Sequence, residues 1–242
     1  MQMQTEIDYS RHYLNWHSDS PEHMEKMRLF YEKRMLPYFP PDRNVKILDI
    51  GCGMGFLLNA LKGAGYINIS GIDVDEHQVM SCRKKGLDVT RTSDTAGFLE
   101  EHAGEFDVIT AFDVLEHIPP DHQIAFVRSV STALKTKGVF MATVPNATSA
   151  LASRNRYIDY THHVLFTEVS LDFVLYNGGF RNIGIRPMEY VIYSFSLKSI
   201  IHRLMLGFFR GWRRMEMIAE LGTTWGKRVP LTFNLLAIAM KD

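Results

Sequence analysis

The chain has 242 residues, in which 27 lysine and arginine residues balance 27 aspartate and glutamate residues. A formal net charge of zero gives no general attraction to nucleic acid, so no nucleic-acid partner is expected. Two cysteines, Cys52 and Cys82, are too few for a disulfide framework. We find neither a signal peptide nor an apolar run long enough to span a bilayer, and we therefore expect a cytoplasmic protein.

Segments typical of strands and of helices alternate along the first part of the chain. Ser20 precedes a proline and an acid, which predicts a capped helix that ends near Leu36. Apolar runs predict strands at 45–50, 67–72, 87–91, 106–112 and 138–144. Helices are predicted between them at 56–64, 76–85 and 124–134. This alternation predicts an α/β fold with a doubly wound, mostly parallel sheet.

The end of the chain has a different pattern. A helix at 170–177 ends at Gly178, and strands are predicted at 180–193 and 231–240. A helical segment at about 194–220 separates these two strands. We interpret the two strands as an antiparallel terminal hairpin that carries a helical insertion and completes a seven-stranded sheet.

The first predicted strand leads into a glycine-rich turn that opens a helix. The candidate cofactor-binding residues of this turn are Asp49, Gly51, Cys52, Gly53 and Gly55. Glycine permits positive φ and a close approach of the backbone to a ligand, and the helix N-terminus offers unpaired amides to an anionic group. Asp73 ends the next strand, where a carboxylate can accept hydrogen bonds from ribose hydroxyls. Asp49 suits an ammonium group and disfavours the pyrophosphate of a nicotinamide dinucleotide.

Over about 45–146 the chain resembles the class I methyltransferases that depend on S-adenosylmethionine (SAM). The resemblance implies that SAM is the cofactor, with its methionine ammonium at Asp49. It also implies that Ser93 and Asp94 lie near the adenine ring, and that Phe112 and Asp113 lie near the methionine part. The sequence leaves open which of Ser93 and Asp94 meets the adenine amino group.

A single domain, 1–242, is expected, with a helical cap at 1–40, a SAM-binding core at 45–146 and an acceptor-side half at 147–242. The insertion in the last part alternates apolar with basic side chains. Through 194–216 it could lie on a membrane or contact a lipid-linked acceptor. We prefer the interpretation that it packs on its own domain or on a second subunit.

Polar residues follow the predicted strand at 106–112, at the end that faces the ligand crevice in such sheets. Asp113, His117 and His162 are the candidate catalytic residues, because histidine can remove the proton of an attacked hydroxyl. Asp113, Glu116 and His117, together with His162 or His163, also form a candidate site for magnesium or manganese. The alternative is that Glu116 and His117 brace the next helix and that the two later histidines lie in a solvated loop.

Two further resemblances bear on the acceptor. The run from Asp113 to His117 is similar to an acid-x-x-Glu-His run of small-RNA terminal ribose methyltransferases and ubiquinone-pathway O-methyltransferases, although those families begin it with glutamate. Asp159-x-Thr161-His162 and neighbouring motifs resemble methyltransferases of bacterial surface-polysaccharide and sugar pathways. The resemblance implies O-methylation of a sugar or glycan hydroxyl, with a phenolic quinone precursor as the alternative acceptor. Outside enzymes, a SAM-binding regulatory module without catalysis is the alternative.

Overall fold

The computed structural model describes residues 13–14, 16–189 and 196–242. The first 12 residues of the predicted N-terminal cap and residue 15 lie outside this description. So do residues 190–195, which comprise the end of the strand predicted at 180–193 and the start of the predicted insertion. Within the described residues, no helix is long and apolar enough to cross a membrane.

Seven strands form one sheet in the order β3-β2-β1-β4-β5-β7-β6. The strands are β1 (Ile47–Ile50), β2 (Ile69–Asp73), β3 (Val89–Arg91), β4 (Phe106–Phe112), β5 (Leu134–Pro145), β6 (Asn182–Met188) and β7 (Asn234–Met240). β1 pairs in parallel with β2 and β4, and β2 pairs in parallel with β3. β7 is antiparallel to both β5 and β6. The predicted α/β class, the mostly parallel seven-stranded sheet and the terminal hairpin are therefore confirmed.

Eight α-helices connect or flank the strands in the described part of the chain. They are α1 (Pro21–Arg34), α2 (Phe56–Gly63), α3 (Glu76–Lys84), α4 (Thr95–Glu101), α5 (Pro120–Ala133), α6 (Ala152–Ile158), α7 (Glu168–Asn177) and α8 (Leu197–Gly226). Ser20 caps α1 as predicted, because its hydroxyl accepts a hydrogen bond from the backbone N of His23. α8 is the predicted insertion between β6 and β7, and Gly222, with φ 75°, interrupts its regular backbone.

The chain divides into two compact units. The first comprises 1–111 with 132–138, and the second comprises 112–131 with 139–242. In the first unit every residue of β1 is buried, as expected for a central parallel strand. In the second unit the rings of Phe140 and Phe180 stack with centroids 5.8 Å apart, and both side chains are fully buried.

The structure contains two helices and one strand extension that the sequence did not predict. α4 and α6 were not predicted, because each buries a single residue, Leu99 or Asn155, and so lacks an apolar face that recurs at helical spacing. β5 begins at Leu134 and not at Gly138. The residues that extend it, 135–137, are exposed and polar, so they carry no strand pattern.

Candidate active site

The glycine turn between β1 and α2 has the backbone that its sequence predicts. Gly51, Gly53 and Gly55 have φ values of 67°, 53° and 74°. The amides of Gly51 and Cys52 donate to the carbonyl of Ile72 at 2.9 and 3.1 Å, which fixes the turn to the end of β2. The thiol of Cys52 is buried in a cluster of apolar side chains, and contact of this residue with a cofactor stays a prediction.

Side chains larger than hydrogen do not fit at two of these glycines. A Cβ on Gly53 would collide with the hydroxyl of Tyr13 and would lie 2.9 Å from Oε1 of Gln78. A Cβ on Gly55 would lie 2.9 Å from the sulfur of Cys82. Glycine is therefore required here by space as well as by positive φ.

Asp73 lies directly against the glycine turn, as the sequence predicts for a ribose-binding acid. Its Oδ2 accepts from the amide of Gly53 at 2.8 Å, and its Oδ1 accepts from the amide of Asp75 at 2.9 Å. Burial raises the pKa of Asp73, while these backbone hydrogen bonds oppose the shift. Each carboxylate oxygen retains a second lone pair, so acceptance from ribose hydroxyls is compatible with this geometry.

Asp49 is a buried carboxyl at the end of β1. Its Oδ1 accepts from the hydroxyl of Thr110 at 2.6 Å. Burial raises the pKa of Asp49 to about 7, and the nearby charge of Asp73 acts in the same direction. A positively charged group brought next to Asp49 would favour its ionised form and lower this pKa. The site is therefore suited to a cationic ligand.

The structure shows where the remaining residues predicted to contact SAM lie. Ser93 and Asp94 are exposed between β3 and α4. Asp94 caps α4, because its Oδ1 accepts from the amide of Gly97 at 2.9 Å, a role that the sequence analysis missed. Phe112 is half-buried as the last residue of β4. Contacts of these residues with adenine or methionine stay predictions.

In the second unit, Asp113 has an unusual backbone that its neighbours hold in place. Its φ of 56° lies in the left-handed region, which is uncommon for residues other than glycine. Its amide donates to the carbonyl of Thr143 at 3.0 Å, and its Oδ1 accepts from the Thr143 hydroxyl at 3.0 Å. The same Oδ1 accepts from Nδ2 of Asn234 at 2.8 Å. Neither Thr143 nor Asn234 was predicted from the sequence as a partner of Asp113.

Glu116, His117 and His162 lie together, and we call these three residues the His–Glu cluster. One possible ligand atom from each residue lies within 4.8 Å of the others. Asp113, the fourth predicted ligand, is not among these three residues, and its Oδ1 accepts hydrogen bonds from Thr143 and Asn234; its role as a metal ligand stays a prediction. Of the two adjacent histidines, the cluster contains His162 and not His163.

His117 belongs to a hydrogen-bonded chain that selects its tautomer. The hydroxyl of Thr161 donates to Oδ1 of the buried Asp159 at 2.6 Å. The same hydroxyl lies 2.8 Å from Nδ1 of His117 and therefore accepts a hydrogen bond from Nδ1–H. Nε2 of His117 then carries the lone pair, as a general base or a metal ligand requires. Asp159 and Thr161 are recognisable in the sequence as part of a polar segment, but their role in orienting His117 is not.

His162 is oriented in the same way. Its Nδ1 lies 2.7 Å from the carbonyl oxygen of Asn155, an arrangement that places the hydrogen on Nδ1 and the lone pair on Nε2. The rings of His117 and His162 meet edge to face, with centroids 4.7 Å apart. Burial, and next the proximity of His162, lowers the pKa of His117 to about 4, so His117 is neutral at neutral pH.

Glu116 is the most unusual member of the cluster. It is 1% exposed, and neither of its carboxyl oxygens has a hydrogen-bond partner. Burial, and next the charge of Asp113, raises the pKa of Glu116 well above its ordinary value. An unsatisfied buried carboxyl costs free energy that a bound cation would offset. Two histidines and one carboxyl form a donor set that suits a divalent metal ion.

Comparison with known proteins supports the family that the glycine turn suggested. A family model described as a methyltransferase domain matches residues 22–184. A ubiquinone biosynthesis O-methyltransferase from Bordetella avium is 28% identical over 182 residues, which cover 66% of this chain and 73% of that protein. A protein of the same name from Actinobacillus pleuropneumoniae is 35% identical over 112 residues, but the match spans 43% of this chain and less than half, 47%, of that relative.

Solved structures share the fold at lower sequence identity. A SAM-dependent methyltransferase from Archaeoglobus fulgidus superposes with a TM-score of 0.65 at 21% identity, covering 90% of this chain and 94% of that one. A phosphoethanolamine N-methyltransferase from Haemonchus contortus, in complex with SAM, gives a TM-score of 0.58 at 15% identity, covering 98% of this chain and 60% of that one. These similarities concern the fold.

Proposed function

Because the chain belongs to the class I SAM-dependent methyltransferases, we propose that it transfers the methyl group of SAM to a phenolic hydroxyl of a quinone precursor. The observation that carries the choice of an oxygen acceptor is the His–Glu cluster, in which a neutral histidine is oriented as a base. The similarity to ubiquinone biosynthesis O-methyltransferases favours the phenolic acceptor over the sugar hydroxyl. A cytoplasmic location is part of the same proposal.

His117 supplies the base of the proposed reaction. The phenol oxygen forms a bond to the methyl carbon as the bond from that carbon to sulfur breaks, and the phenol proton must leave. Nε2 of His117 takes this proton, and the resulting imidazolium is stabilised through Thr161 by the carboxylate of Asp159. The products are the methyl ether, S-adenosylhomocysteine and a protonated His117, which returns its proton to solvent.

A divalent metal ion is the proposed partner of the cluster. Glu116, His117 and His162 would hold it, and when bound it would lower the pKa of a phenol hydroxyl next to it. Both unpartnered oxygens of Glu116 support this part of the proposal. His117 would then act as a ligand, and the phenol would react as the phenolate, which needs no base, so the base and ligand roles of His117 are alternatives that one assay separates.

The assay measures transfer of radiolabelled methyl from SAM to catechol and to nucleotide sugars, with and without a chelator. We expect label in the methylated phenol. Chelator-sensitive transfer supports the ligand role of His117, and chelator-insensitive transfer supports its role as a base. His117→Ala and His162→Ala should each lose turnover while SAM affinity is retained. His122→Ala changes an exposed histidine on α5 and is the matched control.

Two results would overturn the proposal. Label in sugars and none in phenols would establish the sugar acceptor, which stays a prediction from sequence. Unchanged turnover in both histidine variants would remove the cluster from the reaction altogether.

A further inference from the structure

Helix α8 exposes a stripe of large apolar side chains. Up to Met215 these residues recur at a spacing of three or four positions, and each is between 49% and 74% exposed. They are Leu197, Ile201, Leu204, Phe208, Trp212 and Met215. We call these six residues the apolar face of α8. A helix of an isolated soluble protein ordinarily buries such a stripe against its own core.

The opposite side of α8 faces the rest of its unit across a cavity. Arg210 forms an ion pair with Glu189 there, whereas the 2.6 Å hydrogen bond from Nη1 of Arg214 to the carbonyl of Gly226 joins two residues of α8 itself. Leu206 is half-buried beside this cavity, which has a volume of about 410 Å³. The cavity leaves this side of α8 loosely packed while the apolar face is exposed, so packing within the unit does not account for the exposed apolar face.

The charge of the helix indicates what covers the apolar face. Residues 197–215 include one lysine and four arginines and no acidic residue. A second copy that packed on this face would bring two positively charged helices together, and the like charges would oppose association. An anionic bilayer attracts such a helix and receives its apolar side chains at the level of the headgroups.

We propose that α8 docks this protein on the surface of an anionic lipid bilayer, with the apolar face of α8 in the headgroup region. The helix lies in the plane of the interface, and Phe208 and Trp212 enter the lipid side by side along one turn. The inference deepens the proposed function and rests on it in one respect: docking would bring the enzyme to acceptors that dissolve in membranes.

Vesicle binding of the full chain tests the proposal without SAM or acceptor. We compare vesicles of phosphatidylcholine alone with vesicles that also contain phosphatidylglycerol, by co-sedimentation. The double variant Phe208→Asp/Trp212→Asp places charges on the apolar face. The matched control is Val169→Asp/Phe173→Asp, which makes the same change, with the same spacing, at residues 64% and 61% exposed on α7. A third variant, Trp16→Phe/Trp225→Phe, retains Trp212 as its single tryptophan, so its fluorescence reports on the apolar face of α8.

We expect the wild-type protein and the α7 control to bind anionic vesicles at least about tenfold more tightly than neutral ones. The α8 variant should lose at least about tenfold of this affinity, and Trp212 emission should shift to shorter wavelength on binding. Absent vesicle binding, equal binding by both double variants, or an unshifted Trp212 emission would overturn the inference. So would a wild-type dimer that the α8 variant dissociates without any vesicle binding.

Methyl transfer to soluble catechol separates this inference from the proposed function. The α8 variant should retain that activity, since its changes lie outside the His–Glu cluster and the glycine turn. Catechol methylation without vesicle binding would reject docking alone. Vesicle binding without catechol methylation would reject the phenolic acceptor and leave docking in place.

Discussion

Replacing Asp49 with asparagine tests whether this carboxylate holds the ammonium group of SAM. Burial raises the pKa of Asp49 to about 7, so a large share of the ligand-free protein carries a neutral Asp49 near neutral pH. The ionised form attracts a cation, and SAM binding therefore releases a proton wherever Asp49 is protonated. The SAM affinity of the wild-type protein should rise with pH up to about 7 and then become constant.

The size of this effect follows from the pKa. For one titrating group, protonation multiplies the apparent Kd by roughly 30 at pH 5.5 and by roughly 1.3 at pH 7.5 when the pKa is about 7. The SAM affinity of the wild-type protein should therefore be about 25-fold weaker at pH 5.5 than at pH 7.5. The Asp49→Asn variant lacks the titration, so its SAM affinity should be weak and independent of pH.

The same substitution should stabilise the ligand-free protein above neutral pH. The folded-state pKa of Asp49 lies above its ordinary value of 3.8, so its contribution to stability is full below about pH 3.8 and is lost as the pH rises through about 7. A shift of about three pKa units corresponds to at most about 4 kcal/mol in the free energy of unfolding. Asparagine introduces no buried charge, so thermal unfolding at pH 8 should show a higher Tm for the variant.

Isothermal titration calorimetry measures the predicted linkage directly. SAM is titrated into the wild-type protein, into Asp49→Asn and into Asp121→Asn, which changes an exposed acid on α5 and is the control. Repeating the titration in buffers of different ionisation enthalpy gives the number of protons released when SAM binds. A wild-type affinity that is the same at pH 5.5 and pH 7.5, or an asparagine variant with the wild-type pH dependence, would refute the assignment of Asp49.

Three further substitutions have defined outcomes. Thr161→Val removes the hydroxyl between Asp159 and His117, so kcat should fall by about 10- to 100-fold with the Kd for SAM unchanged in calorimetry. Asn146→Ala removes a fully buried amide that donates to two backbone carbonyls at 3.0 and 2.8 Å, and urea denaturation should show a loss of about 3 kcal/mol. Glu116→Gln keeps the size of a carboxyl that has no hydrogen-bond partner, so circular dichroism should show an unchanged fold while metal-stimulated methyl transfer is lost.

The features of the fold that were predicted correctly from the sequence depend on local chemistry. The bounds of β4, Phe106–Phe112, agree with an almost continuous apolar run, because a strand buried on both faces requires one. The positive φ values of the glycine turn were predictable because few other residues adopt them. Asp73 was predictable because the carboxyl ends of adjacent parallel strands share one edge of the sheet. Each of these features depends on a short stretch of sequence.

Contacts between distant residues explain what the sequence did not predict. Asp113 is held by Thr143, 30 positions away, and by Asn234, 121 positions away, and no spacing rule connects these residues. The amphipathic pattern of α8 was visible in the sequence, but the pattern defines two faces and does not say which one faces outward. The general expectation that the apolar side is buried is contradicted in α8 by its exposed phenylalanine and tryptophan side chains.

The buried carboxyls of the described residues differ in the number of hydrogen bonds that they accept, and therefore in how much a cationic ligand would stabilise them. Asp159 accepts from both the amide and the hydroxyl of Thr161, so its ionised form is satisfied within the protein. Asp49 accepts from the hydroxyl of Thr110, and burial leaves its pKa at about 7. Glu116 has no such donor at either oxygen. A buried carboxyl without donors is retained at a cost in stability, and a cationic ligand is the physical means of offsetting that cost. These differences therefore favour SAM, with its ammonium and sulfonium groups, at Asp49 and a fully charged metal ion at Glu116.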